Sequence, residues 1–150
     1  MQVLALSIPL FIYSTHTNCL GPCGGSAGVF LSHLKVPAIL INRHGTTADT
    51  PRAHITNTRA LECLRDADLE DQCNQLSTPN HLMTHTTWAE SMTGRELARI
   101  YSWGNDPWRK GEYELSSPCR HRDLPQTKLE PLLIRDASLH GTVSLLLELC

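Results

Sequence analysis

Residues 19–42 read CLGPCGGSAGVFLSHLKVPAILIN, and this stretch decides the fold. Its glycine-rich turn leads into a helical pattern, in which apolar residues from Ala27 to Leu34 share one face. The run 38–41 is continuously apolar, which is typical of a strand buried on both faces. A glycine turn, a helix and a buried strand in this order predict a dinucleotide site, because the helix N-terminus offers unpaired N–H groups to a pyrophosphate.

The glycine turn fits the dinucleotide fingerprint G-x-G-x-x-G only in part. Gly21 and Gly24 match its second and third glycines, whereas Cys19 holds the first position, where a side chain crowds the tight turn. The acidic residue expected about 20 residues further on is replaced by Asn42, which can bind a ribose hydroxyl as a neutral partner. On this motif alone, an ordinary glycine-rich helix start explains the pattern about equally well.

The N-terminal segment, residues 1–20, is atypical for such a unit. The place of the first strand is taken by the polar residues 15–18, and the apolar run, Val3 to Tyr13, lies upstream. Either the connection to the turn is longer than usual, or the true first strand is missing from this chain. The apolar run has the length of a signal-peptide core, but no Lys or Arg precedes it and no clear cleavage pattern follows. We therefore expect a cytoplasmic location rather than secretion.

The remaining elements follow from periodicity and turn residues. The sequence predicts helices over 56–64, 67–76 and 124–139, strands over 83–88, 96–103 and 142–149, and a short extended piece over 113–117. Asn57 or Thr56 is expected to cap the first of these helices and Asp123 the last, with Pro131 inside that helix and Gly141 ending it.

Composition excludes several classes of function. The 150 residues amount to one domain, and 13 Lys and Arg against 15 Asp and Glu give a net charge of −2. That balance argues against a nucleic-acid partner, and the absence of an 18-residue apolar run argues against a membrane span. The six cysteines are too few for a disulfide scaffold and lack zinc-site spacing, so we expect free thiols and no metal.

Three further segments extend the glycine turn into a recognisable pattern. They read TPRAH at 50–54, YSWGNDP at 101–107 and SPCRHRDLPQ at 117–126. With GPCG at 21–24, they resemble the N-terminal FAD-binding portion of class A flavoprotein aromatic hydroxylases. The closest resemblance is to the phenol hydroxylase and chlorophenol monooxygenase type, which includes fungal polyketide-tailoring monooxygenases. It covers most of the chain, from about Gly21 to Leu149.

The resemblance implies an α/β fold, a partial Rossmann-like FAD-binding domain of the p-hydroxybenzoate hydroxylase type, truncated and with a degenerate first strand. Residues 21–150 would form this domain. Its cofactor-binding residues would be Gly21 and Gly24 under the pyrophosphate, Asn42 at the adenosine ribose, Arg52 at the flavin, Gln126 at the ribityl chain, and Arg122 near the phosphates or in a structural role. Without the resemblance, Arg52 would be read as paired with an acid or with loop carbonyls, and Gln126 as an ordinary helix-start residue.

The family's reaction is the reduction of FAD by NAD(P)H, followed by hydroxylation of a phenolic or other aromatic substrate with O₂. Relatives are several times longer and carry a second FAD motif and a substrate-binding sheet, so we expect little or no activity from this chain alone. The alternative is a non-catalytic remnant or interaction domain that does not bind FAD. In either case an exposed sheet edge, where further strands would dock, favours self-association.

Overall fold

The structure is a computed structural model that describes residues 10–12, 21–50 and 52–147. Expectations for Cys19 and for the polar residues 15–18 lie outside these ranges. The elements in chain order are β1 (Leu10–Ile12), α1 (Pro22–His33), β2 (Ala38–Asn42), β3 (Ile55–Thr56), α2 (Thr58–Asp66), α3 (Glu70–Leu76), a 3-10 turn (Asn80–Leu82), β4 (His85–Ala89), β5 (Glu96–Tyr101), α4 (Lys110–Ser116), β6 (Arg122–Asp123), α5 (Gln126–Leu139) and β7 (Val143–Leu147). They form two compact units, the first made of Met1–Ala53 with Pro125–Cys150 and the second of His54–Leu124.

The first unit is built on a parallel sheet with strand order β1-β2-β7. Ala38 of β2 lies opposite Leu10 on one side and Val143 on the other. The two apolar runs predicted as strands, now β2 and β7, thus become neighbours, as expected for a parallel sheet covered by helices. The upstream apolar run supplies β1, which favours a longer connection over a missing first strand.

Helix α1 packs closely against both α5 and β2. A Cβ added at Gly25 would lie 3.0 Å from Leu133 Cβ, and one added at Gly28 would lie 2.6 Å from Leu40 Cδ1. Two glycines beyond the predicted fingerprint therefore permit this packing, because a Cβ at either position would force neighbouring core side chains to shift.

The second unit combines three helices with two small antiparallel sheets. Strand β3 pairs with β6, and β4 with β5. Its core holds apolar side chains from α2, α3 and the segments around them, namely Leu61, Leu64, Leu69, Cys73, Met83, Cys119 and Leu124. Asn57 caps α2 as predicted, since its side chain accepts a hydrogen bond from the Ala60 N–H at 2.8 Å.

Two local predictions in the second unit were wrong. Residues 113–117 are not extended but largely helical in α4, where ion pairs such as Arg109 with Glu112 at 3.0 Å have helical spacing. Asp123 does not cap α5, because its carboxylate is bound instead to His54 Nδ1 at 2.9 Å and to the Thr78 hydroxyl at 2.7 Å. Helix α5 begins only at Gln126, after Pro125. Among the described residues, no helix is long and apolar enough to cross a membrane.

Candidate functional site

The first component of the site is the N-terminus of α1. Gly21 is the N-cap residue, with extended backbone (φ −62°, ψ 173°), and its carbonyl accepts the first helical bond from the Gly25 N–H at 2.8 Å. No described side chain caps this helix start, and its first turn holds no acidic residue. The N–H groups of the first turn, Gly24 among them, therefore form the kind of positive helix end that binds phosphate.

The second component is Asn42 at the carboxyl end of β2. Its side-chain Nδ2 donates to the backbone oxygens of His44 at 2.7 Å and of Thr46 at 3.3 Å. Because carbonyl oxygens only accept, these bonds fix the orientation of the amide. Asn42 is 1% exposed, and its Oδ1 has no hydrogen-bond partner in the described part of the chain. A buried acceptor without a donor is costly, so the arrangement suits a ligand hydroxyl.

The third component is Arg52, which is exposed and borders a cavity of about 220 Å³. The rest of the cavity wall is formed by residues 44 and 46–49 of the loop that follows β2. No hydrogen bond or ion pair joins the Arg52 guanidinium to another of the described residues. The reading in which Arg52 merely pairs with an acid or with loop carbonyls thus has no such contact to support it.

The fourth component is the start of α5, where Gln126 and Glu130 contact each other and the neighbouring loop. The Gln126 backbone N–H donates to the Ala53 oxygen at 2.9 Å, and its side-chain Nε2 donates to Glu130 Oε1. The other oxygen, Glu130 Oε2, accepts from the Ala48 N–H at 2.7 Å. Glu130 is fully buried at 0% exposure. The carboxylate thus joins α5 to the cavity wall.

Sequence reasoning missed Glu130, although a signal was present. It stands four residues after Gln126 and three before Leu133, so all three share one face of the predicted helix. A carboxylate in line with buried apolar positions marks a polar contact inside the fold, because a charge is seldom buried without partners.

The structure brings Gly21, Gly24, Asn42, Arg52 and Gln126 into the first unit. Arg122 belongs to the second unit, in β6, where its Nε donates to Asn74 Oδ1 at 2.7 Å. That bond provides the structural role named as its alternative, and a cofactor contact at Arg122 stays a prediction. No group of three or more His, Cys, Asp or Glu side chains among the described residues is placed to hold a metal ion.

The polar groups of the first unit fit FAD. A positive helix end suits the pyrophosphate. An acceptor and a guanidinium that have no partner among the described residues suit a ribose hydroxyl and an aromatic ring or anion, respectively. Comparison with known proteins agrees with this, since the profile of the FAD binding domain family matches residues 20–147. The chain belongs to the FAD binding domain family. The predicted resemblance, fold class and cofactor class are thereby confirmed.

Curated relatives of this FAD binding domain are aromatic monooxygenases. The chain is 48% identical over 122 residues to a phenol 2-monooxygenase of Pseudomonas sp. (strain EST1001), covering 81% of this chain and 20% of that protein. It is 46% identical over 121 residues to a 2,4-dichlorophenol 6-monooxygenase of Cupriavidus pinatubonensis, with the same coverage. The chain therefore spans about a fifth of the length of the curated relatives it matches.

The solved structures similar to this FAD binding domain include a flavin-dependent monooxygenase and a hydroxylase. The flavin-dependent monooxygenase PieE, in complex with FAD and substrate, matches with a TM-score of 0.85 and 39% identity over 93% of this chain and 23% of that one. Aklavinone-11 hydroxylase, in complex with FAD and aklavinone, matches with a TM-score of 0.74 and 25% identity over 86% of this chain and 24% of that one.

Proposed function

We propose that the first unit binds FAD and supports the hydroxylation of a phenolic or related aromatic substrate, with NAD(P)H and O₂ as co-substrates. The observation that carries the proposal is the Arg52 guanidinium, which has no partner among the described residues and borders the cavity at the end of β2. The family match and the aromatic monooxygenases among the relatives support it.

The residues of the first unit have separate tasks in this proposal. Gly21 and Gly24 hold the pyrophosphate at the start of α1, and Asn42 accepts a hydrogen bond from the adenosine ribose. Arg52 contacts the flavin, and Gln126 contacts the ribityl chain. For Arg122, which lies in the second unit and donates to Asn74, a contact near the phosphates stays a prediction.

Bound FAD would supply the redox chemistry, taking hydride from NAD(P)H and activating O₂ toward the aromatic ring. This chain's own residues bind and orient the cofactor, and we assign none of them a catalytic role. The proposal treats residues 21–150 as the FAD-binding part, with Leu10–Ile12 of the N-terminal segment, residues 1–20, adding strand β1 to its sheet. It also includes a cytoplasmic location and, through the edges of its sheets, self-association.

The proposal is tested by adding FAD to the purified 150-residue chain, separating free flavin by gel filtration and measuring the flavin absorbance that co-elutes with protein. We expect close to one flavin per chain. Arg52→Ala should weaken FAD binding about tenfold or more, because a contact to a charged group is lost. Arg99→Ala is the matched control, since Arg99 pairs with Glu96 at 2.6 Å in the second unit.

A chain that folds by circular dichroism but retains no flavin would contradict the proposal and favour the non-catalytic interaction domain. If flavin is retained, NAD(P)H oxidation with a panel of phenols tests the activity. We expect little turnover from this chain alone, because it spans about a fifth of the length of its relatives.

A further inference from the structure

We propose that Glu130 is a positioning residue of the FAD site. It holds the Gln126 amide so that the side-chain oxygen, and not the nitrogen, is presented to the cofactor, and it fixes the cavity-wall loop at Ala48. The inference rests on the proposed function and adds to it a residue that does not itself touch FAD.

Burial is the first argument, because Glu130 is a costly choice for stability alone. Its side chain is 0% exposed on the α5 face that also carries Leu133 and Ala137, which are fully buried. No cation is paired with its carboxylate among the described residues. Replacing a buried charge with an apolar group of similar size is often neutral or stabilising, so a carboxylate at this buried position points to a positional role.

The second argument is the polarity of the contact with Gln126. A carboxylate only accepts hydrogen bonds, and an amide nitrogen only donates them. The contact between Gln126 Nε2 and Glu130 Oε1 therefore leaves the Gln126 side-chain oxygen for other partners. The ribityl hydroxyls of FAD can donate to such an acceptor. Asn42 follows the same rule, since its nitrogen is bound within the protein and its oxygen has no partner among the described residues.

The third argument is the second oxygen of the same carboxylate. Glu130 Oε2 accepts from the Ala48 N–H at 2.7 Å, and Ala48 lines the cavity together with Arg52. Ala48 lies four residues before Arg52 in the chain. One buried group thus fixes the amide at the start of α5 and the loop that carries the flavin-contacting arginine.

Glu130→Gln tests the polarity argument with almost no change in shape. If the introduced amide keeps its oxygen on the Ala48 N–H, its nitrogen faces Gln126, which must then turn its own oxygen inward and its nitrogen toward the cofactor. If the introduced amide adopts the other orientation, two donors meet at Ala48 and the loop is released. In both cases we expect FAD binding about tenfold weaker, equivalent to one hydrogen bond.

The double variant Gln126→Glu, Glu130→Gln is the rescue, because it exchanges the donor and the acceptor between the two positions. The carboxylate introduced at position 126 would accept from the amide nitrogen introduced at position 130 and keep an oxygen for the cofactor. The amide oxygen at position 130 would accept from the Ala48 N–H. We expect FAD binding within about threefold of the unmodified chain, since each hydrogen bond is restored.

Glu62→Gln is the matched control for the single variant. Glu62 also bridges two partners, Arg59 at 2.7 Å and the Ser117 hydroxyl at 2.6 Å, but it does so in the second unit. Its loss of charge should therefore leave FAD binding unchanged.

Binding is measured by flavin fluorescence, and thermal unfolding confirms that each variant is folded. Unchanged FAD affinity in Glu130→Gln, or a double variant as weak as the single one, would overturn the inference while leaving the proposed function intact. Failure of the unmodified chain to retain FAD would reject the proposed function itself. The contact between Glu130 and the Ala48 N–H can also be tested without the cofactor. Hydrogen exchange at the Ala48 amide should speed up at least about tenfold in Glu130→Ala. Equal exchange rates in this variant and in the unmodified chain would also overturn the inference.

Discussion

The two units bury their strands to very different extents. In the first unit β2 has a strand on each side and alternates fully buried with half-buried residues, whereas all six residues of β5 in the second unit are exposed. Of the twelve large, well-exposed apolar side chains in the described part of the chain, only Leu34 and Leu139 lie outside the second unit. The candidate cofactor groups Asn42 and Gln126 therefore sit on the tightly packed elements, which is where a site can be held to a fixed geometry.

The largest expected effect is a loss of stability when the same Leu→Ala substitution is made in the buried strand β2 and in the exposed strand β5. Leu40→Ala in β2 should lower the free energy of unfolding by about 3 kcal/mol, because Leu40 is fully buried and a cavity would remain. Leu97→Ala in β5 should cost less than about 1 kcal/mol, because that side chain is 58% exposed. Urea unfolding of both variants measures the difference, and equal losses would show that β5 is covered in solution.

Strands β2 and β7 were predictable, because each lies in a largely apolar run that follows turn residues. The order of turn, helix and strand likewise made Gly21, Gly24 and Asn42 candidates from their spacing, and their contacts with FAD stay predictions. The exposure of β5 was not predictable, since Leu97 and Ile100 look like core residues in sequence. Their burial depends on what packs against the hairpin, and local pattern carries no such information.

The hydrogen-bond partners of Glu130 could not be predicted from the sequence either, because one of them lies far away along the chain. Its partner Ala48 is 82 residues away in the chain. A glutamate within a helical pattern is ordinarily a solvated surface residue. Its alignment with Leu133 was a signal of burial, but only the folded arrangement shows which groups it binds. The incorrect prediction of an extended segment at residues 113–117 has a local cause. The ion pairs that stabilise α4 begin at Arg109, which lies before that segment.

The second expected effect is a pH dependence in the core of the second unit. Burial, with a smaller contribution from Glu70, raises the pKa of the Cys73 thiol to about 11. The unfolded thiol ionises near pH 9, so between pH 9 and 11 the folded state binds more protons than the unfolded state. Stability should therefore fall as pH rises through this window, by up to about 2 kcal/mol.

The measurement is urea unfolding of the unmodified chain and of Cys73→Ala at about pH 8 and about pH 10.5. These two pH values span most of the expected change. Subtracting the variant removes the titration of lysines and tyrosines shared by both proteins. A similar loss between the two pH values in both proteins would mean that Cys73 is not the cause.

Cys23 in the first unit is exposed and should react with a thiol reagent at the lower pH, whereas Cys73 should not.

The third prediction compares two helical glycines. Gly28→Ala should destabilise the chain by about 1–2 kcal/mol, because the new Cβ would lie 2.6 Å from Leu40 Cδ1 and 3.2 Å from Ala137 Cβ. Gly111→Ala in α4 should instead stabilise by about 0.5 kcal/mol, since nothing lies within 4 Å and alanine favours the helix. Thermal unfolding should show a lower stability for Gly28→Ala and a higher stability for Gly111→Ala. A stabilising Gly28→Ala would show that α1 does not pack against β2 as closely as described.

The smallest expected effect is a gain in stability at the ends of α1 and α2, which have the same type of C-terminal geometry. Lys35 after α1 and Asp68 after α2 both have a φ of 57°, in the left-handed region. In each case the N–H of the following residue reaches back five positions, Val36 to the Leu31 oxygen at 2.8 Å and Leu69 to the Leu64 oxygen at 2.9 Å. These bonds define a Schellman ending, where glycine is preferred.

Lys35→Gly should therefore raise the free energy of unfolding by about 0.5–1 kcal/mol, because it relieves a side chain held in a left-handed conformation. Asp68→Gly should gain less, about half as much, because aspartate tolerates this conformation better than lysine. Thermal unfolding of the two single variants and of the double variant measures both gains. The gains should add, since the two sites share no partner, and a loss at either site would mean that its ending is not the one described.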